Sequence, residues 1–169
     1  ARSSAEGKGK VYPFGDFLGR FSSTLTDESA KINLNRLNST SPQDVKTIRL
    51  LLTALFLPEK YNPLFENRRA DGNYVTRLEQ LDAIQDWVDL DNKVASQPST
   101  DEESKYRYDE KGYFSKNNKF YSLEELRLVF GVDDIFFQTF SPFFTVFGHN
   151  TININDAPVD VLLAIIQAY

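Results

Sequence analysis

The chain contains no cysteine and no methionine, and only one histidine and one tryptophan. Without cysteine there is no disulfide framework and no thiolate metal site. One histidine, His149, with no Gly-x-Ser-x-Gly elbow, leaves neither a nucleophilic triad nor a histidine-based zinc site to assemble. His149 is read as a surface or turn residue. No stretch approaches the roughly 18 apolar residues that a bilayer-spanning helix needs, and no signal peptide is visible. A natural chain begins with methionine, so this one is expected to be processed or cut from a longer precursor. Its end at Tyr169, straight after an apolar run, is expected to be artificial or processed as well.

What remains is ample for a core. The 169 residues suit one medium domain, or a small domain with a fragment of another. Hydrophobic residues make up 41%, with 14 Phe and 8 Tyr. A formal charge of -5 argues against a nucleic-acid surface, which carries a positive field.

Two stretches echo each other. Ile32-Asn33-Leu34-Asn35 leads to Pro42, and Ile152-Asn153-Ile154-Asn155 leads to Pro158, each a strand-like run feeding a helix start. Residues 11–35 read as strands, including Phe17 to Leu25 and Lys31 to Asn35. A helix then opens with Ser41 as cap, Pro42 in the first position and Asp44 in the first turn. Its stripe is Val45, Ile48, Leu51, Leu52, Leu55 and Phe56, and Pro58 stops it. A second helix is expected over 75–88, burying Leu78, Leu81, Ile84, Trp87 and Val88. Residues 89–121 form a long polar stretch, of a length that is usually functional, metal-stiffened or disordered. Ser122 and Glu125 have the spacing of a capping box for a helix ending before Gly131. Asp133 can cap a short helix over 134–140, Phe143 to Phe147 reads as a strand, and a last helix starts near Pro158.

Three constellations invite a functional reading. Glu125 with Gly131-Val132-Asp133 resembles the helix-hairpin-helix, whose Gly-x-Gly turn lets backbone N–H groups reach a phosphate. Here Asp133 takes the second glycine position beside Asp134, and two carboxylates repel phosphate, so a structural hairpin is the simpler reading. Asp86, Asp89 and Asp91, with Asp101, Glu102 and Glu103 downstream, can gather around a hard cation, since calcium takes six to eight oxygens. The spacing is not an EF-hand, and a solvated acidic face stands as the alternative. Asp86 and Asp89 as a hydrolytic pair are set aside, because acids at a helix end are ordinarily just exposed there. Trp87 and the phenylalanines from Phe136 to Phe147 suit either a recognition surface or, more simply, the core.

Taken in order, four segments resemble the minor pseudopilin protein K family of type II secretion (general secretion pathway protein K). Thr26-Asp27-Glu28-Ser29-Ala30-Lys31-Ile32-Asn33-Leu34-Asn35 is similar to that family's Asp-Glu-x-Gly-Lys-Ile-Asn-Leu-Asn signature, with Ala30 in place of Gly. Asp86-Trp87-Val88-Asp89-Leu90-Asp91 resembles its Asp-Trp-x-Asp-x-Asp segment, and 122–131 its Ser-x-x-Glu-Leu-Arg-Leu-Val-x-Gly helix. Ile152 to Pro158 is similar to its Asn-[Val/Ile]-Asn-Thr-Ala-Pro helix start, with Asp156 in place of Thr.

The resemblance implies an α+β, mostly helical fold: short N-terminal strands of a pseudopilin-like sheet plus a large all-α insert with helix-hairpin-helix-like (SAM-like) units. Residues 1–38 would belong to a truncated pseudopilin α/β domain. Residues 39–169 would form the helical domain, as units over about 41–121 and 122–169. It implies a non-enzymatic subunit capping the tip of the periplasmic pseudopilus, anchored in the inner membrane by a helix ahead of Ala1. Expected partners are minor pseudopilins I and J and secreted substrates, with no nucleic acid. Some members bind calcium in the acidic loop, and the matching positions are Asp86, Asp89, Asp91 and Glu103. The loop here has Glu102-Glu103-Ser104 where the family has Gly-Ala-Glu. A DNA-binding module of the competence type is the alternative function.

Overall fold

The computed structural model describes residues 26–66, 72, 74–101, 114–148 and 151–168. Within them the protein is mostly helical, with a few short strands.

Asp27 accepts the Ser29 N–H at 2.8 Å and starts a 3-10 turn over Glu28–Ala30. Strand β1 is only Ile32–Asn33, and a second 3-10 turn, Leu34–Asn38, follows at once. The strands expected over 11–35 are therefore confined, among the described residues, to one short extended pair; Phe17 to Leu25 lie outside them. Helix α1 (Pro42–Phe56) starts as the sequence dictates, with the Ser41 hydroxyl accepting from Asp44 N at 3.4 Å and Pro42 in the first turn. Its apolar stripe, from Ile48 through Phe56, is buried. After the break at Pro58 comes the short α2 (Asn62–Glu66).

Helix α3 (Arg77–Asp86) begins with a capping box: Glu79 N donates to Thr76 Oγ1 at 3.2 Å, and Thr76 N donates to Glu79 Oε2 at 2.8 Å. The long polar stretch after it contains an antiparallel hairpin, β2 (Lys93–Val94) with β3 (Gln97–Asp101). The segment expected to open with a capping box is a 3-10 helix, Leu123–Leu128, and Ser122 makes no side-chain cap bond. Glu125 is engaged instead by Tyr121 N at 3.0 Å and Lys116 Nζ at 2.6 Å. Gly131 follows at φ +80°, and Asp133 caps α4 (Asp134–Phe140) by accepting from Phe136 N at 2.7 Å. Strand β4 (Phe144–Thr145) pairs in parallel with β1, Ile32 opposite Phe144, and α5 (Val159–Ala168) completes the described chain.

Helix α1 packs against both α5 and α3. The core is aromatic: Phe56, Phe65, Phe136, Phe140 and Phe144 are all buried, with ring centroids 4.7 Å apart for Phe136–Phe140 and 4.8 Å for Phe56–Phe140. Trp87 is buried too, so the aromatic set is core and not a recognition face, although Phe147 is exposed.

The internal echo has a shared geometry. Asn33 Oδ1 accepts from Asn35 N at 3.0 Å, and Asn153 Oδ1 accepts from Asn155 N at 3.2 Å. Each asparagine turns its own backbone two residues on. The copies then diverge. In the first, both asparagines bridge distant segments: Asn33 donates to Phe147 O at 3.1 Å, and Asn35 donates to Phe120 O at 3.0 Å and Val146 O at 2.9 Å while accepting from Phe120 N at 2.7 Å. In the second copy Asn153 is the bridging residue, donating to Asp27 Oδ2 at 2.8 Å and, through its backbone, to Ser29 O at 2.8 Å.

Candidate cation site and the adjoining groove

Helix α3 carries polar residues on its inward face. Gln80, Asp82 and Asp86 are buried, alternating with Leu81, Ala83 and Ile84. Leu78, expected in the core, is 53% exposed. Asp82 accepts from Arg49 of α1 at 2.8 Å and from the Ser96 hydroxyl, while Asp86 Oδ1 accepts from Ala95 N at 2.9 Å. Two buried carboxylates thus fasten the turn of the β2–β3 hairpin to α3, and one of them also fastens α3 to α1. Spacing of four residues puts both on one helix face. The sequence reading named Asp86 but missed Asp82, Arg49 and Ser96. The signal was there in the Asp82–Asp86 interval, at positions where the helical stripe asks for apolar side chains.

Past the end of α3, the turn at 87–90 brings Asp89 back toward the helix. Its Oδ2 accepts from Gln85 Nε2 at 3.4 Å, while its Oδ1 is buried without a hydrogen-bond partner. Burial, and then the neighbouring charges of Asp86 and Asp91, push the Asp89 carboxyl up to about 7. Asp91 is exposed and accepts from Lys93 N at 2.8 Å. Of the four residues matched to the calcium-binding positions, Asp86 and Asp91 therefore lie close enough to act on Asp89. Glu103 falls outside the described residues, as do Glu102 and His149. Among the described residues no three carboxylates already converge as a metal cage. Asp86 and Asp91 are each engaged by a backbone N–H, and the orphaned Oδ1 of Asp89 is the atom that a cation would satisfy.

Because the folded protein raises the Asp89 pKa above its unfolded value, this group's contribution to stability is complete below the unfolded pKa near 3.8. It is lost as pH rises through about 7. Metal-free protein is therefore expected to lose stability between about pH 4 and pH 7, at a limiting slope of about 1.4 kcal/mol per pH unit. Asp89→Asn is expected to flatten that window in urea titrations at several pH values. An unchanged slope in the variant would assign the titration elsewhere.

A groove of about 620 Å³ runs between α1 and α3, floored by Leu37, Val45 and Leu81 and reaching Asp89 and Asp91. The helices lie antiparallel: Arg77 Nε donates to Phe56 O at 2.9 Å at one end, and Arg49 meets Asp82 and Gln85 further along.

At the hairpin singled out by sequence, Gly131 cannot carry a side chain: a Cβ there would lie 2.8 Å from Gln80 Oε1 and 3.0 Å from Val75 Cγ1. Asp133 is spent capping α4 and Asp134 pairs with Arg127, so the turn is built for packing.

The family model of the type II secretion system (T2SS), protein K, matches residues 30–149. The type II secretion system protein K of Klebsiella pneumoniae is 26% identical over 137 residues, covering 81% of this chain and 39% of that protein. Among solved structures, a chain from the GspK-GspI-GspJ complex of the enterotoxigenic Escherichia coli type 2 secretion system aligns with a TM-score of 0.58. It is 21% identical and covers 84% of this chain and 47% of its own length. The chain thus spans less than half the length of the relatives it matches. With its matched segment covering well over half of the sequence, this chain belongs to the protein K family of the type II secretion system.

Proposed function

We propose that the chain is the periplasmic part of a minor pseudopilin that caps the tip of the pseudopilus in type II secretion, on the periplasmic side of the inner membrane. The match over residues 30–149 is the observation that carries this reading. The fold likeness to a chain of the GspK-GspI-GspJ complex supports it and suggests minor pseudopilins I and J as partners. The role is structural, with no catalytic step. A bulky helical body set on a small sheet would block addition of another subunit above it, and a filament would end there. Within this proposal the pseudopilin-like sheet occupies residues 1–38 and the helical domain 39–169. The 3-10 helix, Gly131 turn and α4 make a helix-hairpin-helix-like unit of it. Secreted proteins are a further partner class for the exposed surface. A DNA-binding role has no support, since the hairpin presents the capping Asp133 and the Asp134–Arg127 pair where phosphate would have to approach.

Mixing the protein with soluble domains of minor pseudopilins I and J, and weighing the products by light scattering, tests the assembly. A ternary complex is expected; three separate monomers at micromolar concentrations would overturn it.

We infer as well that Asp86, Asp89, Asp91 and Glu103 hold calcium. A divalent ion would relieve the repulsion among the three aspartates and satisfy Asp89 Oδ1, tying the acidic loop to the end of α3.

A further inference from the structure

The β2–β3 hairpin is joined to the body differently from the other elements. Val94 is its one buried apolar side chain among the described residues, and it lies outside the continuous apolar core to which Leu81 and Ile84 of α3 belong. Val94 aside, the attachment to α3 is polar. At the hairpin turn the Ser96 hydroxyl donates to Asp82 Oδ2, and Ala95 N donates to Asp86 Oδ1 at 2.9 Å. Asp82 and Asp86 are 2% and 1% exposed, whereas Ser96 is an exposed residue. A surface hydroxyl thus reaches down to a buried carboxylate.

The root of the hairpin is held from elsewhere. Asn117 Nδ2 donates to Asp91 O at 2.9 Å and Asn118 N to Trp87 O at 3.4 Å, so 114–118 pins the turn that leads out of α3. Between this root and β2 lies the turn in which Lys93 N donates to Asp91 Oδ1. Opening there leaves the antiparallel pairing of β2 with β3 intact. It also leaves Asp82 compensated, because Arg49 of α1 keeps its ion pair at 2.8 Å. A buried carboxylate stripped of every partner would make opening costly, and one that keeps its guanidinium does not. Asp86 is wetted by the same movement that withdraws Ala95 N, so it is not left dry and unpaired. Segments with few buried apolar contacts open locally, at free energies below that of global unfolding.

We propose that the β2–β3 hairpin is a strap that swings off α3 as a unit while α1, α3 and the aromatic core stay folded, and that Ser96 on Asp82 is its latch. Closed, the strap covers Asp82 and Asp86. Open, it turns two carboxylates of α3 to solvent and makes that face acidic, so the latch decides which surface this side of the molecule presents. Every latch bond is made by protein groups, and closure requires no cation.

Amide hydrogen exchange of the whole chain, read by mass spectrometry in chelator and across low urea, tests the strap. Peptides over 93–101 are expected to be protected, yet to exchange at a rate that low urea does not change. Amides of α1 are expected to exchange only through urea-sensitive unfolding. Ser96→Ala is expected to speed exchange over 93–101 about tenfold or more, as loss of a hydrogen bond to a charged acceptor should. Ser96→Thr keeps the hydroxyl and is expected to restore the original rate. Ser96 is exposed, so neither change is expected to disturb folding, and circular dichroism checks it. Exchange over 93–101 that climbs with urea in step with α1 overturns the strap, because the hairpin then leaves only when the whole protein unfolds. Rates unchanged by Ser96→Ala, or not restored by Ser96→Thr, overturn the latch. Protection that is present in calcium and absent in chelator assigns closure to a cation and overturns it as well.

Discussion

Phe140→Ala is expected to destabilise the protein by about 4 kcal/mol and to lower its melting temperature by on the order of 10 °C. The ring is fully buried and sits at the hub of the aromatic core. Its centroid is 4.7 Å from Phe136, 4.8 Å from Phe56, 4.8 Å from Tyr61 and 6.1 Å from Phe144, against which it stacks. Truncation removes the transfer free energy of the ring and leaves a cavity bounded by other rings, which are too rigid to fill it. The tilted and edge contacts add to that loss, each being worth up to about 1 kcal/mol beyond area burial. The neighbouring exposed Phe147 supplies the control, since its replacement by alanine is expected to move stability by no more than about 0.5 kcal/mol. Equal losses for the two variants in urea denaturation would mean that the ring cluster is not the centre of the core.

Asn35→Asp against Asn155→Asp is the sharper comparison, because the two residues hold the same place in the echoed motif. The Asn35 amide donates to two carbonyls, Phe120 O and Val146 O, and accepts from Phe120 N. Aspartate keeps the acceptor, removes both donors and sets a carboxylate against two carbonyl oxygens. A loss of about 3 kcal/mol is expected at neutral pH, from two broken bonds and the unsatisfied carbonyls they leave. Asn155 is exposed and contributes its backbone N–H to the turn, which aspartate retains, so the second variant is expected to stay within about 0.5 kcal/mol. Acid should partly rescue Asn35→Asp by protonating the new carboxyl. A cost at neutral pH no greater than that of Asn155→Asp would show that the bridge between these segments is dispensable.

The local signals were plainly written. Ser41-Pro42 opens α1 because a hydroxyl cap and a proline each satisfy the first turn without help from elsewhere. Gly131 and the Asp133 cap likewise mark the break before α4 from neighbouring residues alone. Where a side chain had a partner outside its own helical turn, the local reading failed. Ser122 and Glu125 have capping-box spacing, but Lys116 and the Tyr121 N–H engage Glu125 and the segment winds as a 3-10 helix. Leu78 has the right interval for the stripe of α3, yet Asp82 and Asp86 occupy the inward face because Arg49, Ser96 and the Ala95 N–H receive them there. The candidate site was half legible for the same reason. The interval Asp86, Asp89, Asp91 is a pattern in one strip of chain, whereas the orphaned oxygen of Asp89 and the groove beside it arise only when α1 is laid against α3.

By itself the amino-acid order determined where most helices begin and stop, that the body is aromatic-cored and acidic, and to which family the ordered motifs point. Those properties follow from backbone capping, side-chain period and composition, all of which act within a few residues. Tertiary structure decided which distant segments the asparagines of the echoed motif bridge, which polar residues of α3 are buried, and what surrounds Asp89. These depend on how separate segments are laid together, as where Arg49 meets Asp82 and Asn35 meets Val146, and only burial against a specific partner sets their energy.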